Sequence, residues 1–292
     1  MEKTNTFGKL VVAGAALLVA GAIVFLVGLG LSGWKFSALS TVTYEQKSYT
    51  AKGEISSVSV EYSNADILVV VDEGAERVTL SYPVGFDKVT DRASAVTLEE
   101  KEGKLTVTEA SQQFWFGFSV QTPAFTLTLP AGEYADISLS TANGNVSARG
   151  LKVAGTLALG SENGNISLSA SEAGKASLST KNGNIAIEDV TAETLSAESA
   201  LGDIAQAGAL EVGTLTCSTE LGDVSLDKAL VQSAQLSSEL GDVTAHLSGV
   251  REDYSVTVRT EMGECNISSY VGGARDVTAQ TSMGDIFIAF EN

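Results

Sequence analysis

A three-residue motif occurs eight times between Ile137 and Ala289, and it decides the fold. Each copy is a glycine, then an amide or acidic residue, then an aliphatic residue or cysteine. The copies are Gly144-Asn145-Val146, Gly164-Asn165-Ile166, Gly183-Asn184-Ile185, Gly202-Asp203-Ile204, Gly222-Asp223-Val224, Gly241-Asp242-Val243, Gly263-Glu264-Cys265 and Gly284-Asp285-Ile286. Successive glycines lie 19 to 22 residues apart. A period held this closely is typical of a repeat architecture.

Apolar and small polar residues alternate on both sides of each glycine. In the fifth copy Leu215, Cys217, Val224 and Leu226 take the apolar positions. A serine or threonine stands three residues before every glycine, as Thr219 does in this copy. The alternation predicts a strand, a tight turn and a second strand. The Ser/Thr side chain is predicted to point inward, like the apolar side chains. There its hydroxyl can bond a backbone group of the turn that would otherwise be buried without a partner.

One copy buries too little apolar surface to offset the conformational entropy lost when it becomes ordered. The copies must therefore stack, with equivalent residues in columns about 4.8 Å apart. We predict an all-β fold: a single β-solenoid with about 20 residues per rung, preceded by one N-terminal transmembrane helix. The regular repeats occupy residues 137–292.

The predicted transmembrane helix is residues 10–31, which carry no charge. As a helix these 22 residues reach about 33 Å, enough to span a bilayer. The apolar region of a cleaved signal peptide, the rival interpretation, is about 7–15 residues long. Lys3 and Lys9 precede the segment and Lys35 follows it, which favours a cytoplasmic tail at residues 1–9 and an extracytoplasmic C-terminal domain.

Residues 32–136 are predicted to lead into the repeats. Residues 32–54 are expected to form a juxtamembrane linker, and residues 55–136 degenerate N-terminal rungs centred near positions 65, 85, 103 and 123. These rungs include the aromatic run Phe114-Trp115-Phe116-Gly117-Phe118. Atypical terminal repeats are expected where a solenoid must be capped. This interpretation gives about twelve rungs in one continuous stack; the alternative is a separate small β-sandwich at residues 55–130.

Composition argues against several classes of function. The formal net charge is −18, which opposes nucleic-acid binding. Cys217 and Cys265 lie at different corners of the predicted rungs, too far apart for a disulfide. The single histidine, His246, has no second histidine or thiol pair near it and is expected to be a solvated strand residue. We predict a protein that is not an enzyme, with no catalytic residues and no cofactor.

The residue after each glycine forms an acidic or amide column: Asn145, Asn165, Asn184, Asp203, Asp223, Asp242, Glu264 and Asp285. Such a column of oxygen ligands could bind Ca²⁺. Asn and Asp are, however, ordinary turn residues beside glycine, and like charges about 5 Å apart repel by only about 1 kcal/mol in water. We favour the turn interpretation and predict no metal site.

Taken together, the apolar N-terminal helix, the tryptophan-bearing linker, the segment TLTLPAGEY at Thr126–Tyr134 and the periodic G-[DN]-[IV] motifs resemble the bacterial putative-adhesin family of unknown function. Its members are membrane-anchored β-strand-repeat proteins. The resemblance implies a β-solenoid exposed at a bacterial cell envelope, and it brings no catalytic residues.

Two kinds of function remain. We expect a membrane-anchored, extracytoplasmic, non-enzymatic adhesion or interaction module at the cell envelope, held in the cell membrane by a single pass. The alternative is an envelope scaffold or a stress-sensing, regulatory component that works through a membrane partner. The protein or cell-surface partner is not specified. Self-association could use the stripe of Gly14, Gly21 and Gly28 on the membrane helix, or the C-terminal rung, where Phe287 has outward parity on a strand expected to be an open edge. The alternative for that rung is that Phe287 and Phe290 fold against the end as a local cap.

Overall fold

The computed structural model describes residues 3–31, 33–35, 40–110 and 123–291, with side chains from these ranges except residues 3–13, 15 and 16. The described residues divide into two compact units. The smaller unit contains residues 3–31, 33–35, 40–45 and 85–93; the larger contains residues 46–84, 94–110 and 123–291. The predicted aromatic run at residues 114–118 lies outside the described residues.

The chain begins with helix α1, Lys3–Leu31. In the part of the chain that the structure describes, no helix is both long and apolar enough to cross a membrane. The predicted transmembrane helix, residues 10–31, is therefore not found among the described residues. The side chains of residues 10–13, 15 and 16 of this segment are not among those described. The predicted linker is not entirely irregular: its Val-, Thr- and Tyr-rich segment forms strand β1, as β-branched and aromatic residues favour.

Twenty strands follow the helix within the described residues. The first nine are β1 (Val42–Thr50), β2 (Ser57–Asn64), β3 (Asp66–Asp72), β4 (Thr79–Asp87), β5 (Arg92–Ala93), β6 (Val96–Lys101), β7 (Lys104–Glu109), β8 (Ala124–Pro130) and β9 (Glu133–Tyr134). The others are β10 (Asp136–Asn143), β11 (Val146–Arg149), β12 (Lys152–Asn163), β13 (Ile166–Asn182), β14 (Ile185–Leu201), β15 (Ile204–Leu221), β16 (Val224–Leu240), β17 (Val243–Ser248), β18 (Tyr254–Met262), β19 (Arg275–Met283) and β20 (Ile286–Glu291).

The repeats form the predicted parallel stack. Leu157 pairs with Ala176, Ala176 with Leu195, and Leu195 with Leu215, so equivalent residues occupy columns. The inward members of these columns are buried, with Ile166, Ile185, Ile204 and Val224 all fully enclosed. The apolar alternation read from the sequence therefore builds one continuous core along the stack.

Five consecutive rungs have a second corner, six residues after the turn glycine, that the sequence did not reveal. The residue at this corner has a positive φ: Gly150 (73°), Ala170 (47°), Asp189 (52°), Gly208 (70°) and Lys228 (71°). The left-handed conformation favours glycine, yet three of the five are other residues. Because the residue type varies, the column carries no sequence signal.

The N-terminal rungs were predicted only in part. β2 and β3 pair in parallel with β10 and β11, with Val58 opposite Ile137 and Ile67 opposite Val146. The level centred on residue 65 is thus a true rung, and it stacks directly on the Gly144 rung. On its other side β7 pairs with β2, and β8 with β3, both in parallel. The sheet therefore continues across residue 136, although the predicted domain boundaries stay predictions.

The prediction of rungs around positions 85 and 103 is wrong. β6 and β7 form an antiparallel hairpin, closed by Glu102 and Gly103 with φ of 51° and 74°. Two successive residues with positive φ make the tight hairpin turn that matches strand twist, so the chain reverses instead of coiling onward. β4 likewise runs antiparallel to β8, from Thr79 to Ser81. The described strands form fewer levels than the twelve predicted.

The last two repeats stack in the reverse of their sequence order. β16 pairs with β19, and β17 with β20, so the Gly284 rung lies directly on the Gly241 rung. β18, from the Gly263 rung, pairs with the far side of β19. The physical reason is the longer connection after β17, where Gly249 and a 3-10 turn at Arg251–Asp253 carry the chain past one level.

Consequently β20 does not end the stack as an open edge, and the prediction that it does is wrong. Ile286 bridges Cys265, and the Asn266 amide bonds the backbone N–H and C=O of Ile288. The outermost strand, β18, is itself covered by an antiparallel bridge between Val256 and Tyr270. Covered edges prevent a sheet from templating further strands.

Candidate functional site: the turn corner

The turn corner comprises, at every level, the turn residue at its centre and the residues directly before and after it. The levels stack in the order Ala65, Gly144, Gly164, Gly183, Gly202, Gly222, Gly241, Gly284 and Gly263. The turns approach so closely that a side chain at Gly222 would collide with the carbonyl of Gly202, and Gly222 also has a φ of 150°. The repeated glycine is therefore required by backbone-to-backbone contact.

The residues after the glycines form a ladder of hydrogen bonds from level to level. At each step the backbone N–H of the residue after one turn centre donates to the Oδ1 atom of the equivalent residue one level below. These bonds are 2.7–2.9 Å long, and the series runs Asp66, Asn145, Asn165, Asn184, Asp203, Asp223, Asp242, Asp285 and Glu264. The column predicted as turn residues thus holds the turns together, and its side chains are exposed.

The serine and threonine column does what the sequence predicted. The hydroxyl of Thr219 donates to the carbonyl oxygen of Gly202 at 2.9 Å. Ser161, Thr180, Ser199, Ser238, Thr260 and Thr281 make the same bond to the turn glycine of the level below, at 2.8–2.9 Å. A buried carbonyl without a donor is costly, so this column explains why a hydroxyl stands at every repeat. The position in the first repeat differs: Thr141 bonds Asn143 instead.

The residue before the turn glycine divides the corner into two halves. Asn64, Asn143, Asn163 and Asn182 form an asparagine ladder, in which the Nδ2 of each of the last three donates to the Oδ1 atom of the level below at 2.8–3.0 Å. From the Gly202 level onward the same position carries an exposed apolar side chain. In stacking order these are Leu201, Leu221, Leu240, Met283 and Met262.

The corner offers no arrangement for metal chemistry within the residues described. No group of three or more His, Cys, Asp or Glu side chains there is placed to hold a metal ion. The hydrogen-bond ladder, and not metal binding, accounts for oxygen-bearing side chains at this position, because an Asp side chain accepts the same backbone bond as an Asn side chain. Across the described residues, every buried side-chain nitrogen or oxygen has a hydrogen-bond partner, so the structure shows no orphaned group awaiting a ligand.

The isolated reactive residues occupy structural positions. Cys217 and Cys265 are both free, as expected from their different corners. Cys217 is fully buried, and burial raises the pKa of its thiol to about 12, which keeps it protonated and unreactive. His246 Nδ1 lies 2.8 Å from Glu291 Oε1, and its ring stands 5.9 Å from that of Phe287. Its partner is thus a surface carboxylate at the end of β20.

A recess of about 930 Å³ lies on another face of the larger unit. It is lined by small residues and by Glu133, Lys152, Glu172, Glu193 and Glu211. Lys152 Nζ pairs with Glu172 at 3.2 Å, and both side chains are more than half exposed. The lining includes neither histidine nor cysteine.

Comparison with known proteins gives a family match. The model of the family described as Toastrack DUF4097 matches residues 55–288. None of the curated proteins matches the sequence.

Several solved structures are similar to this chain at low identity. A putative adhesin from Bacteroides fragilis is 13% identical, with 84% of this chain and 97% of that chain covered and a TM-score of 0.46. A putative adhesin from Parabacteroides distasonis is 13% identical, covering 86% and 95% with a TM-score of 0.47. A protein from Parabacteroides distasonis described as a putative lipid binding protein is 12% identical, covering 86% and 97% with a TM-score of 0.48.

Proposed function

We propose, from the premise that the chain belongs to the Toastrack DUF4097 family, that the protein is a non-enzymatic interaction module of the bacterial cell envelope. One observation carries the non-enzymatic part. The polar side chains that recur along the turn corner are engaged in bonds between levels, so their repetition is explained by stacking. What remains for function is the long surface that the stack displays, which suits binding to a macromolecule.

The location in this proposal rests on the sequence. Residues 10–31 carry no charge, and 22 such residues are enough for a membrane helix. The net charge of −18 keeps a protein soluble and opposes association with nucleic acid. We infer a single-pass anchor in the cell membrane, with the repeats on the extracytoplasmic side.

The anchor is tested by expressing the full chain with a C-terminal epitope tag in a bacterial host. We expect the tag in the membrane fraction and its digestion by protease added to intact spheroplasts. Deletion of residues 10–31 should release the protein from that fraction. A tag that is protected in intact spheroplasts but digested after detergent treatment would show that the repeats lie inside.

Exchanging the helix distinguishes the interaction module from the alternative, a scaffold or regulator that works through a membrane partner. Residues 10–31 are replaced with an unrelated membrane-spanning sequence, and partners are captured by crosslinking on intact cells. An interaction module should keep its partners, because the repeats bind them. Loss of the partners with an intact, correctly located repeat domain would favour the alternative.

A further inference from the structure

A rung does not need an apolar residue before its turn glycine. We call the exposed side chains of Leu201, Leu221, Leu240, Met283 and Met262 the apolar ridge; they are 42–63% exposed. Four other levels fill the same position with asparagines that bond each other. Single exposed apolar residues are common, but a contiguous row marks a site of interaction.

A second position changes at the same level. In the asparagine half the residue after the turn centre is Asp66 at the first level and Asn145, Asn165 and Asn184 at the next three, whereas it is an aspartate or glutamate at each level of the ridge. The ladder bond is 2.9 Å when Asn184 accepts it and 2.9 Å when Asp203 accepts it. The negative charge is therefore not needed for the bond to form, whereas neighbouring carboxylates repel by about 1 kcal/mol in water.

Further carboxylates lie on the other side of the ridge. Glu220, Glu239 and Glu261 directly precede Leu221, Leu240 and Met262, and all three are exposed. Among the described residues of this rim, the ion pair of Arg259 with Glu261 is loose: Arg259 Nη2 lies 3.9 Å from Glu261 Oε1. The ridge is thus an apolar row between two acidic rims, a pattern that stacking does not explain.

We propose that the apolar ridge is a docking site for a basic amphipathic helix of a partner protein. Charge complementarity selects a basic partner, because acidic rims attract basic side chains and repel acidic ones. Spacing suits a helix: levels repeat about every 4.8 Å, close to the 5.4 Å pitch of a helix. Five levels span about 19 Å, which about 13 helical residues match. A second copy of this ridge would instead set acidic rims against each other.

This inference deepens the proposed interaction role and rests on it. The probe is a 14-residue peptide with leucine on one helical face and lysine on the other; its control has the same composition in scrambled order. Binding is measured by fluorescence anisotropy at 0.15 M salt on the full chain purified in detergent. We expect the amphipathic peptide to bind at least about tenfold more tightly than the scrambled one, since about 1.4 kcal/mol of oriented apolar contact suffices.

The decisive variant is Leu221→Asn with Leu240→Asn, which keeps the net charge and inserts the residue that other levels already accommodate. It should weaken peptide binding at least about tenfold, which corresponds to about 1.4 kcal/mol. The matched control, Leu68→Asn with Val70→Asn, removes two exposed apolar side chains on β3 and should change binding less than about twofold. Circular dichroism melting establishes that both variants fold.

Charge is tested by Glu220→Gln with Glu239→Gln against Glu188→Gln with Glu193→Gln, which changes the charge equally elsewhere. The first pair should weaken binding and lower its salt dependence more than the second. Equal binding of the wild type and the Leu221/Leu240 variant, or no preference over the scrambled peptide, would overturn the proposal. So would concentration-dependent self-association that this variant abolishes. Protease accessibility of the tag in cells tests the envelope location separately, so the two failures are distinguishable.

Discussion

At the scale of single residues, this protein uses polar side chains to satisfy backbone groups that stacking would otherwise bury. Thr219 is 2% exposed, and its hydroxyl is aimed at the carbonyl of Gly202. Near the N-terminal strands the carboxylate of Glu100 accepts bonds from the exposed Lys52 and Gly53 backbone and from the Tyr49 hydroxyl. Both interactions have measurable consequences.

Thr219→Val removes the hydroxyl while keeping the shape of the side chain. The carbonyl of Gly202 then loses its donor, and we expect the free energy of unfolding to fall by about 1–3 kcal/mol. Urea denaturation provides the measurement. Thr214→Val is the control: Thr214 is exposed in the same strand, and its replacement should have little effect. Equal effects of the two substitutions would mean that the hydroxyl bond does not matter.

Glu100 makes stability depend on pH. Hydrogen bonds from the Lys52 and Gly53 backbone, and then from the Tyr49 hydroxyl, lower the pKa of Glu100 below its ordinary value of 4.5. A lowered folded-state pKa contributes stability above about pH 4.5, and this contribution is lost as the pH falls through the folded-state value. Glu100→Gln should therefore destabilise the protein at pH 7 more than at pH 3. Unfolding by urea at both pH values tests this.

At the scale of the single rung, two corners with different chemistry turn the chain. The turn corner combines glycine, an accepting side chain and a hydroxyl, and it recurs almost unchanged. The second corner needs only a left-handed residue, and Ala170, Asp189 and Lys228 take that conformation without being glycine. Each such residue stores strain of about 1–2 kcal/mol, which the paired strands on both sides hold in place.

Ala170→Gly should therefore be neutral or stabilise the protein by up to about 1 kcal/mol, because relief of strain exceeds the entropic cost of glycine. Ala186→Gly, at an exposed site within β14, should instead destabilise it by about 0.5–1 kcal/mol. Chemical denaturation of both variants decides the matter. A loss at Ala170 as large as that at Ala186 would contradict the left-handed assignment.

The ladder predicts how the acidic column responds to neutralisation. Asp203→Asn, Asp223→Asn and Asp242→Asn together keep the accepting oxygens and remove repulsion, so the melting temperature should stay the same or rise, most at low salt. Asp223→Ala, which removes an acceptor, should lower it. Millimolar Ca²⁺ should shift melting no more than Mg²⁺ does. A large, saturable calcium shift that the triple variant abolishes would instead establish a metal site.

At the scale of the whole repeat unit, strand order departs from sequence order. The Gly284 rung is inserted between the Gly241 and Gly263 rungs. Ser237, Gln280 and Arg259 consequently form one outward column in that order. Sequence order would instead place Ser237 beside Arg259.

Cysteine pairs distinguish the two orders. In a background with Cys217→Ala and Cys265→Ala, Ser237→Cys with Gln280→Cys should crosslink on oxidation. Gln280→Cys with Arg259→Cys should do so as well. Ser237→Cys with Arg259→Cys lies two levels apart, about 10 Å, beyond the reach of a disulfide. Non-reducing electrophoresis reads the result, and crosslinking of this last pair together with no crosslink between Ser237→Cys and Gln280→Cys would restore the sequential order.

The sequence by itself determined the properties that repeat locally: the rung period, the glycine turn, the inward columns and the hydroxyl at Thr219 and its equivalents. These follow from side-chain parity and turn chemistry, which each rung expresses independently. Only the tertiary structure decided which rungs are neighbours. The columns of the Gly263 and Gly284 rungs both offer inward apolar residues to the Gly241 rung, so their pattern cannot choose between them. The same applies to the hairpin at Gly103, whose alternation fits a parallel rung and an antiparallel pair equally well, until two positive φ angles reverse the chain.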